Sequence, residues 1–412
     1  MNDKTKEMRK TYWALLTAFA FLIAIGTANV FSSTFVADGA TGNAYSHLIR
    51  QAGLFLVGLI PGMLIYKCEY TFWKKHVMKL VIFTVILLIT VLAAGVVVNG
   101  ARRWVGVAGF TFQPSELAKL TGILYTAAYL APCLERHKKI EFFHRLSRDK
   151  NASWLKQLPF LPHVTLWAPG LMALLVGIQP DAGTAIVIFI IPVVMLIVSG
   201  AHVSKVKIPI LLMAVVAVLS VMSAPYRRDR IIAWLDPWSY EKTLGYQTIQ
   251  SLIAIGSGGI MGQGVGEGIS KFSYLPEAHT DFAFAILAQE WGLRGTVLML
   301  VLFCVIIYFG AVTAWNCRNK FGMFTALGIT LYFGGQGFIN IGMVSGLLPV
   351  VGVPLPFISY GGTSLIVNMM AAALLLNICR CNYKEMLHQS IMGPPPQVRS
   401  MKEETRSRFP LS

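Results

Sequence analysis

The sequence predicts an all-α polytopic membrane protein with about ten transmembrane helices, and three observations carry that reading. Of 412 residues, 55% are apolar and only 13% are charged, where a soluble domain has roughly a quarter charged. The mean hydropathy is +0.61. Apolar windows of about 20 residues, each enough to cross the hydrocarbon as a helix, recur along the chain with the basic residues gathered in short segments between them.

The predicted spans are 12–33, 49–66, 77–98, 115–133, 163–179, 182–200, 207–224, 281–312, 323–345 and 362–380. An even count puts both termini on one side. The basic segments 1–10, 67–79, 134–157, 202–207, 316–320 and 380–408 fall on that same side, which the positive-inside rule makes the cytoplasm. The basic start (Lys4, Lys6, Arg9, Lys10) runs straight into the first span and is expected to act as an uncleaved targeting device. The segment 134–162, rich in Arg, Lys and His, reads as a membrane-surface helix or docking loop in contact with anionic lipid. Residues 1–388, with the long outer loop 225–280 between spans seven and eight, form one membrane domain, and 389–412 read as a disordered cytoplasmic tail marked by Pro394-Pro395-Pro396.

The net charge of +16 does not signal nucleic acid, because the positive-inside pattern already accounts for it. The six cysteines fall in spans or at cytoplasmic ends, so no outer disulfide is expected. Cys379 and Cys381 lack the spacing of a zinc site.

Unusual residues crowd the outer loops. The second loop carries Arg102-Arg103-Trp104 and ends in Gln113-Pro114-Ser115-Glu116, and the third is Gln179-Pro180-Asp181-Ala182-Gly183-Thr184. In both, proline and an acid open a helix, where proline's missing N–H costs nothing and an acid meets the positive end of the dipole. Asp181 is thereby a helix-capping candidate. Glu116 and Lys119 lie three apart on one helix face inside a span. They read either as an internal ion pair or as a cavity wall that meets a charged ligand. Glu290, deeper in the eighth span, reads as structural.

The fourth outer loop opens with Tyr226-Arg227-Arg228-Asp229-Arg230 and contains a glycine-rich run, Gly256 to Gly268. That run lacks Gly-Lys-Ser/Thr, so it is not a nucleotide P-loop. It reads as a flexible turn or as a backbone-amide cradle for pyrophosphate. The loop ends in Leu275-Pro276-Glu277-Ala278-His279-Thr280-Asp281, at the seam between water and lipid. Thr280 can cap the eighth span alone, which leaves Asp281 an acid without a structural task.

Taken jointly, these pieces resemble the SEDS family of bacterial proteins, FtsW, RodA and SpoVE. The resemblance rests on Arg102-Arg103-Trp104, Gln113 to Lys119, Gln179 to Thr184, Gly245-Tyr246-Gln247, Leu275 to Phe282, and Pro356-Phe357-Ile358-Ser359-Tyr360-Gly361-Gly362. The Pro276-to-Asp281 form and Asp236-Pro237-Trp238 lean toward FtsW and SpoVE; Gln179 and the stretch Pro349 to Pro354 lean toward RodA. The resemblance implies a ten-span fold and polymerisation of lipid II at the outer face of the bacterial cytoplasmic membrane. It implies Asp281 as the essential acid, a class B penicillin-binding protein as partner, and a linkage of activity to a divalent cation (Mg or Mn) whose ligands the sequence does not show.

On this basis Asp281 is the expected general base. Arg103, Trp104, Glu116, Lys119, Asp181, Glu277, His279 and Ser359 are the expected substrate-binding residues, and Arg227 and Arg228 are added candidates for the leaving pyrophosphate. The rival classes are a lipid II flippase, suited by Glu116 and Glu290 inside the bundle, and a non-enzymatic scaffold for a transpeptidase. The crowding of unusual residues on one face favours chemistry there over transport.

Overall fold

In a computed structural model the chain is described for residues 3–40, 42–98, 101–107, 110–136, 143–144, 161–200, 225–272 and 274–392. The helices are α1 (Asp3–Ala40), α2 (Ser46–Lys67), α3 (Thr71–Ala94), α4 (Pro114–Glu135), α5 (Trp167–Ile178), α6 (Ala182–Val198), α7 (Pro225–Leu235), α8 (Tyr246–Ser257), α9 (Ala283–Trp315), α10 (Lys320–Val344) and α11 (Gly362–Met392). Among the described residues, seven helices are long and apolar enough to cross a membrane, and Val164–Ile178 and Ala182–Val198 are shorter apolar helices. The expected span at 207–224 and most of the basic loop 134–162 lie outside the described residues, as does the tail beyond Met392.

The bundle sorts its helices by polarity. α4 and α10 are the least hydropathic of the seven, at 1.3 and 1.2, and 72% and 61% of their spanning windows are buried. α3, at 2.7, is 28% buried. Lipid has no use for polar side chains, so the helices that carry them are enclosed by those that do not. α4 packs against α3, α6 and α10, while α11 packs against α1 and α2.

Two sequence expectations change here. Span three ends at Ala94, not at residue 98, and the connection from α3 to α4 contains a small antiparallel sheet. Its strands β1 (Val96–Val98), β2 (Ala101–Val107) and β3 (Phe110–Phe112) lie in that order, with Val96 opposite Trp104 and Val105 opposite Phe112. The β-branched run of Val96, Val97 and Val98 favours a strand once the chain leaves the hydrocarbon.

The glycine-rich run is the second change. α9 is broken at Gly292, whose φ is +66°. A break exposes backbone groups that hydrocarbon cannot satisfy. The run supplies partners for them. Gln263 N–H donates to Gln289 O at 3.0 Å and Gly264 N–H to Glu290 O at 3.1 Å, while Leu293 N–H donates to Gly259 O at 2.9 Å. These amides are engaged by protein carbonyls, so the run is a plug for a broken helix rather than a pyrophosphate cradle. Glu290 is structural as expected. Its carboxylate accepts from Lys271 Nζ at 3.0 Å and from Ser32 Oγ at 2.6 and 2.7 Å, and Lys271 also donates to Gly266 O.

A Cβ at Gly292 would stand 2.3 Å from Gly262 N in a left-handed backbone, whereas a Cβ at Gly256 in α8 meets nothing within 4 Å. Gly292→Ala is therefore expected to lower the midpoint of thermal unfolding in detergent, at a cost of about 1–3 kcal/mol or more. Gly256→Ala is expected to hold or raise it, by up to about 1 kcal/mol.

Candidate active site

Four connecting loops converge at one end of the buried helices. One side chain from within the bundle sets two of them: Asn340 of α10 donates from Nδ2 to Asp281 O at 2.8 Å and to Val353 O at 2.7 Å. Gln336, one turn away, donates to Pro354 O at 2.8 Å. From the fourth loop, Arg230 donates to Val350 O at 2.9 Å and Trp234 Nε1 to Gly346 O at 3.0 Å. The fifth loop, 346–361, is thus gripped from both sides. Its turn is closed by Ser359, which is buried and whose Oγ accepts from Leu355 N–H at 2.8 Å. Ser359 holds the loop's shape instead of facing a ligand.

Asp281 lies just ahead of α9. Neither Thr280 nor Asp281 caps that helix: Phe282 occupies the cap position and no side chain bonds there. Thr280 Oγ1 instead donates to Glu277 Oε2 at 2.6 Å, and the amides of Thr280 and Phe282 donate to Glu277 O at 3.1 and 3.2 Å. Glu277 sits at φ +53°, a left-handed conformation that costs a non-glycine residue about 1–3 kcal/mol and concentrates at functional sites. Among the described residues no group hydrogen-bonds the Asp281 carboxylate, which is partly accessible; a Cβ at Gly352 would approach its Oδ2 to 3.3 Å. Burial, then the Glu277 charge, pushes its pKa up to about 6, with Arg230 and Arg103 pulling the other way. A carboxyl with free lone pairs and a pKa close to neutrality is suited to taking a proton.

Asp181 does cap α6, accepting from Thr184 N–H at 3.2 Å, and it also accepts from Gln113 Nε2 at 3.2 Å. Burial pushes its carboxyl up, and the Arg103 guanidinium and the Thr184 amide oppose that. Arg103, on β2, donates from Nε to Gln179 O at 3.3 Å and also to Pro180 O. The third loop is thereby stitched to the sheet. Gly183 in that loop is needed for close approach, since a Cβ there would stand 2.4 Å from Val351 O. Trp104, the neighbour of Arg103 on the strand, is half-buried beside β1.

Glu116 and Lys119 form the internal ion pair: Lys119 Nζ donates to Glu116 Oε1 at 2.7 Å and to Gln336 Oε1 at 3.0 Å, with both side chains at most 2% exposed. The other Glu116 oxygen has no partner. Lys119 is thus a buried, paired cation that reaches the fifth loop through Gln336. Of the two added arginines, Arg228 is exposed and the side chain of Arg227 lies outside the described residues. Arg230, two positions on, acts on Asp281 together with Arg103.

His279 turns away from Asp281 and meets His47 and Tyr360, with ring centroids 5.6 and 5.8 Å apart. Sequence reading passed over Asp38, His47, Arg230, Gln336, Asn340 and Tyr360. Gln336 and Asn340 carried a usable signal, being amides four apart inside an apolar helix. The expected divalent cation finds no cage in these residues: among the described residues no three His, Cys, Asp or Glu side chains come together as a metal set.

The family described as Cell cycle protein (FtsW/RodA/SpoVE) matches residues 12–384. Stage V sporulation protein E of Bacillus subtilis (strain 168) is 37% identical over 362 residues, covering 87% of this chain and 94% of its own.

The chain belongs to the FtsW/RodA/SpoVE family.

Its similarity to members is FtsW/SpoVE-like. The probable peptidoglycan glycosyltransferase FtsW of Geobacter metallireducens is 35% identical over 376 residues, covering 90% of this chain and 96% of its own. A chain from the structure on coordination of polymerisation and crosslinking by a peptidoglycan synthase complex has a TM-score of 0.68 at 27% identity, covering 90% of this chain and 98% of that one. A mutant of the rod-shape-determining protein RodA of Thermus thermophilus has a TM-score of 0.61 at 25% identity, with 90% and 98% covered. The family member described here is a multi-pass protein of the bacterial inner membrane and an enzyme of the peptidoglycan glycosyltransferase type.

The Glu116–Lys119 pair gives a stability test. Removing one partner, as in Glu116→Ala, strands a buried charge and is expected to cost about 3–5 kcal/mol. The double variant Glu116→Leu/Lys119→Met removes both charges and should cost less than the single one. Thermal unfolding in one detergent, compared across the three proteins, checks the order.

Proposed function

We propose that the protein polymerises lipid II into glycan strands at the outer face of the cytoplasmic membrane, with Asp281 as the general base of one inverting displacement. The observation that carries this reading is the Asp281 carboxylate. It is partly accessible, carries no hydrogen bond among the described residues, and has a pKa raised to about 6. The same reading keeps the ten-span topology with cytoplasmic termini: seven long helices, two shorter apolar ones and the expected span at 207–224 make up the ten. It places the four converging loops at the outer leaflet, where a lipid-linked sugar presents its head group.

The chemistry follows from the substrate. Asp281 takes the proton from the 4-hydroxyl of the acceptor's N-acetylglucosamine. The oxygen so freed attacks the anomeric carbon of the donor's N-acetylmuramic acid, and the bond to pyrophosphate breaks on the opposite face. A β-linkage from an α-linked donor needs one inversion and therefore one base. Such a base contributes about 10²–10⁴-fold, roughly 3–5 kcal/mol of barrier. Arg103 and Arg230, the two cations whose charges reach Asp281, are placed to offset the charge of the leaving pyrophosphate. Trp104 adjoins Arg103 on β2, the Glu277 charge acts on Asp281, and Asp181 orients Arg103 electrostatically. Glu116 and Lys119 support the fifth loop from below through Gln336. A flippase reading gains little from the buried acids, because Glu116 and Glu290 are each engaged by a lysine. The expected partners are a class B penicillin-binding protein, which would crosslink the strands, and the surrounding membrane lipids.

Purified protein given labelled lipid II is expected to make glycan strands, and Asp281→Asn to lose at least about 100-fold of that rate. Scrambling of lipid II in liposomes without any polymer would support the flippase, and partner binding without either activity would support the scaffold. The rate should also follow the carboxylate's ionisation. Because the pKa is raised, activity is present above pH 6 and falls as pH drops through about 6, to roughly one-tenth a unit below it. Initial rates of strand synthesis between pH 5 and pH 8 check this.

A further inference from the structure

The first outer connection, between α1 and α2, holds a cluster that the chemistry above does not use. Asp38, buried near the end of α1, accepts the His47 backbone N–H at 2.9 Å and bonds the His47 ring Nδ1 at 2.6 Å. The ring so fixed lies edge-on to Tyr360 of the fifth loop, with centroids 4.9 Å apart, and against His279 of the fourth at 5.6 Å. Tyr360 N–H in turn donates to His279 O at 2.8 Å. Three loops therefore meet at His47.

The segment Glu277 to Asp281 has two sides. His279 faces Asp38 and His47, whereas Asp281 faces Arg230, Asp181 and Arg103. The segment is short and wound about a left-handed Glu277, so what holds one side sets the aim of the other. Asn340 fixes only the backbone oxygen of Asp281, and Thr280 is tied only within the segment. From the α1–α2 connection the ring of His47 reaches the segment at His279.

We propose that Asp38 and His47 are a positioning pair for strand synthesis, holding the Glu277–Asp281 segment through the His279 and Tyr360 rings so that the Asp281 carboxylate keeps its aim. This rests on the functional reading above. The charged and titratable groups around His47 are Asp38 from α1, Arg50 beside Tyr360 from α2, and Glu277 and His279 from the fourth loop. Burial, the largest influence, lowers the His279 pKa, and the neighbouring His47 adds to it; both favour a neutral ring that can pack on its neighbours.

His47→Asn separates positioning from simple closure of the first loop. Asparagine can still bond Asp38, so the α1–α2 connection stays tied, but the ring is gone. The expected result is a fall in kcat for lipid II polymerisation of about 10-fold to 100-fold with KM within about twofold, since a displacement near 1 Å is felt in turnover. Amide hydrogen exchange at Thr280, Phe282 and Tyr360 should quicken, with the amides of α4 and α10 unchanged. Exchange at those three amides equal to that of the unmodified protein would overturn the proposal, as would a kcat within twofold. Should the unmodified protein make no polymer at all, the functional reading fails, and the exchange measurement still decides whether His47 holds the segment.

Discussion

The loops around Asp281 depend on one amide in the interior of the bundle. Asn340 spends both Nδ2 hydrogens on loop carbonyls, one on Asp281 and one on Val353, at 2.8 and 2.7 Å. In hydrocarbon a side-chain amide without partners is costly, so the helix has a strong preference for the arrangement in which both loops are seated. The fifth loop contains no regular structure between Ser345 and Gly361, yet it is held by Asn340 and Gln336 from below and by Arg230 and Trp234 from the side. A site on loops needs that kind of rigid support to keep a carboxylate aimed within a fraction of an ångström. Gln336 and Asn340 of α10, with Lys119 of α4 behind Gln336, are therefore the supports of these loops, which explains why the helices that carry them are enclosed.

The same rule explains the broken helix. A membrane helix can be interrupted only where other protein groups take up its freed amides and carbonyls. Here the glycine-rich run does so, and the adjoining Lys271–Glu290–Ser32 network neutralises the acid that the break brings inside. The break leaves a short helix, Ala283 to Trp291, directly behind Asp281. Two features once open to a functional reading, the glycines and Glu290, belong to this mending of the backbone.

Much of this was legible in the sequence, for definite reasons. Spans are read from long apolar windows, and among the described residues seven helices are long and apolar enough to cross a membrane. Glu116 and Lys119, three apart on a helix, had to share a face, and they pair. Asp181 followed Gln-Pro at a helix start, and it caps. Asp281 stood out as an acid at a phase boundary. The misses have equally definite causes. Val96 to Val98 continue an apolar run, so periodicity extended the third span through a strand; the Asn99-Gly100 pair after them was an available hairpin signal. Asp38 and His47 are nine residues apart in an undistinguished loop, and only tertiary structure puts three rings together. Arg230 and Arg228 lie on one helix but differ in facing, Arg228 exposed and Arg230 turned to Val350 O, which sequence spacing alone did not resolve.

In the proposed mechanism Asp281 is the titrating base, and its neighbours set its ionisation. Glu277 raises its pKa and Arg230 lowers it. The most direct measurement is the pH dependence of strand synthesis in Glu277→Gln and Arg230→Gln. The account predicts that the acid limb moves to lower pH in the first and to higher pH in the second, in opposite directions from about 6. An acid limb that stays in place in both variants, while synthesis continues, would contradict it.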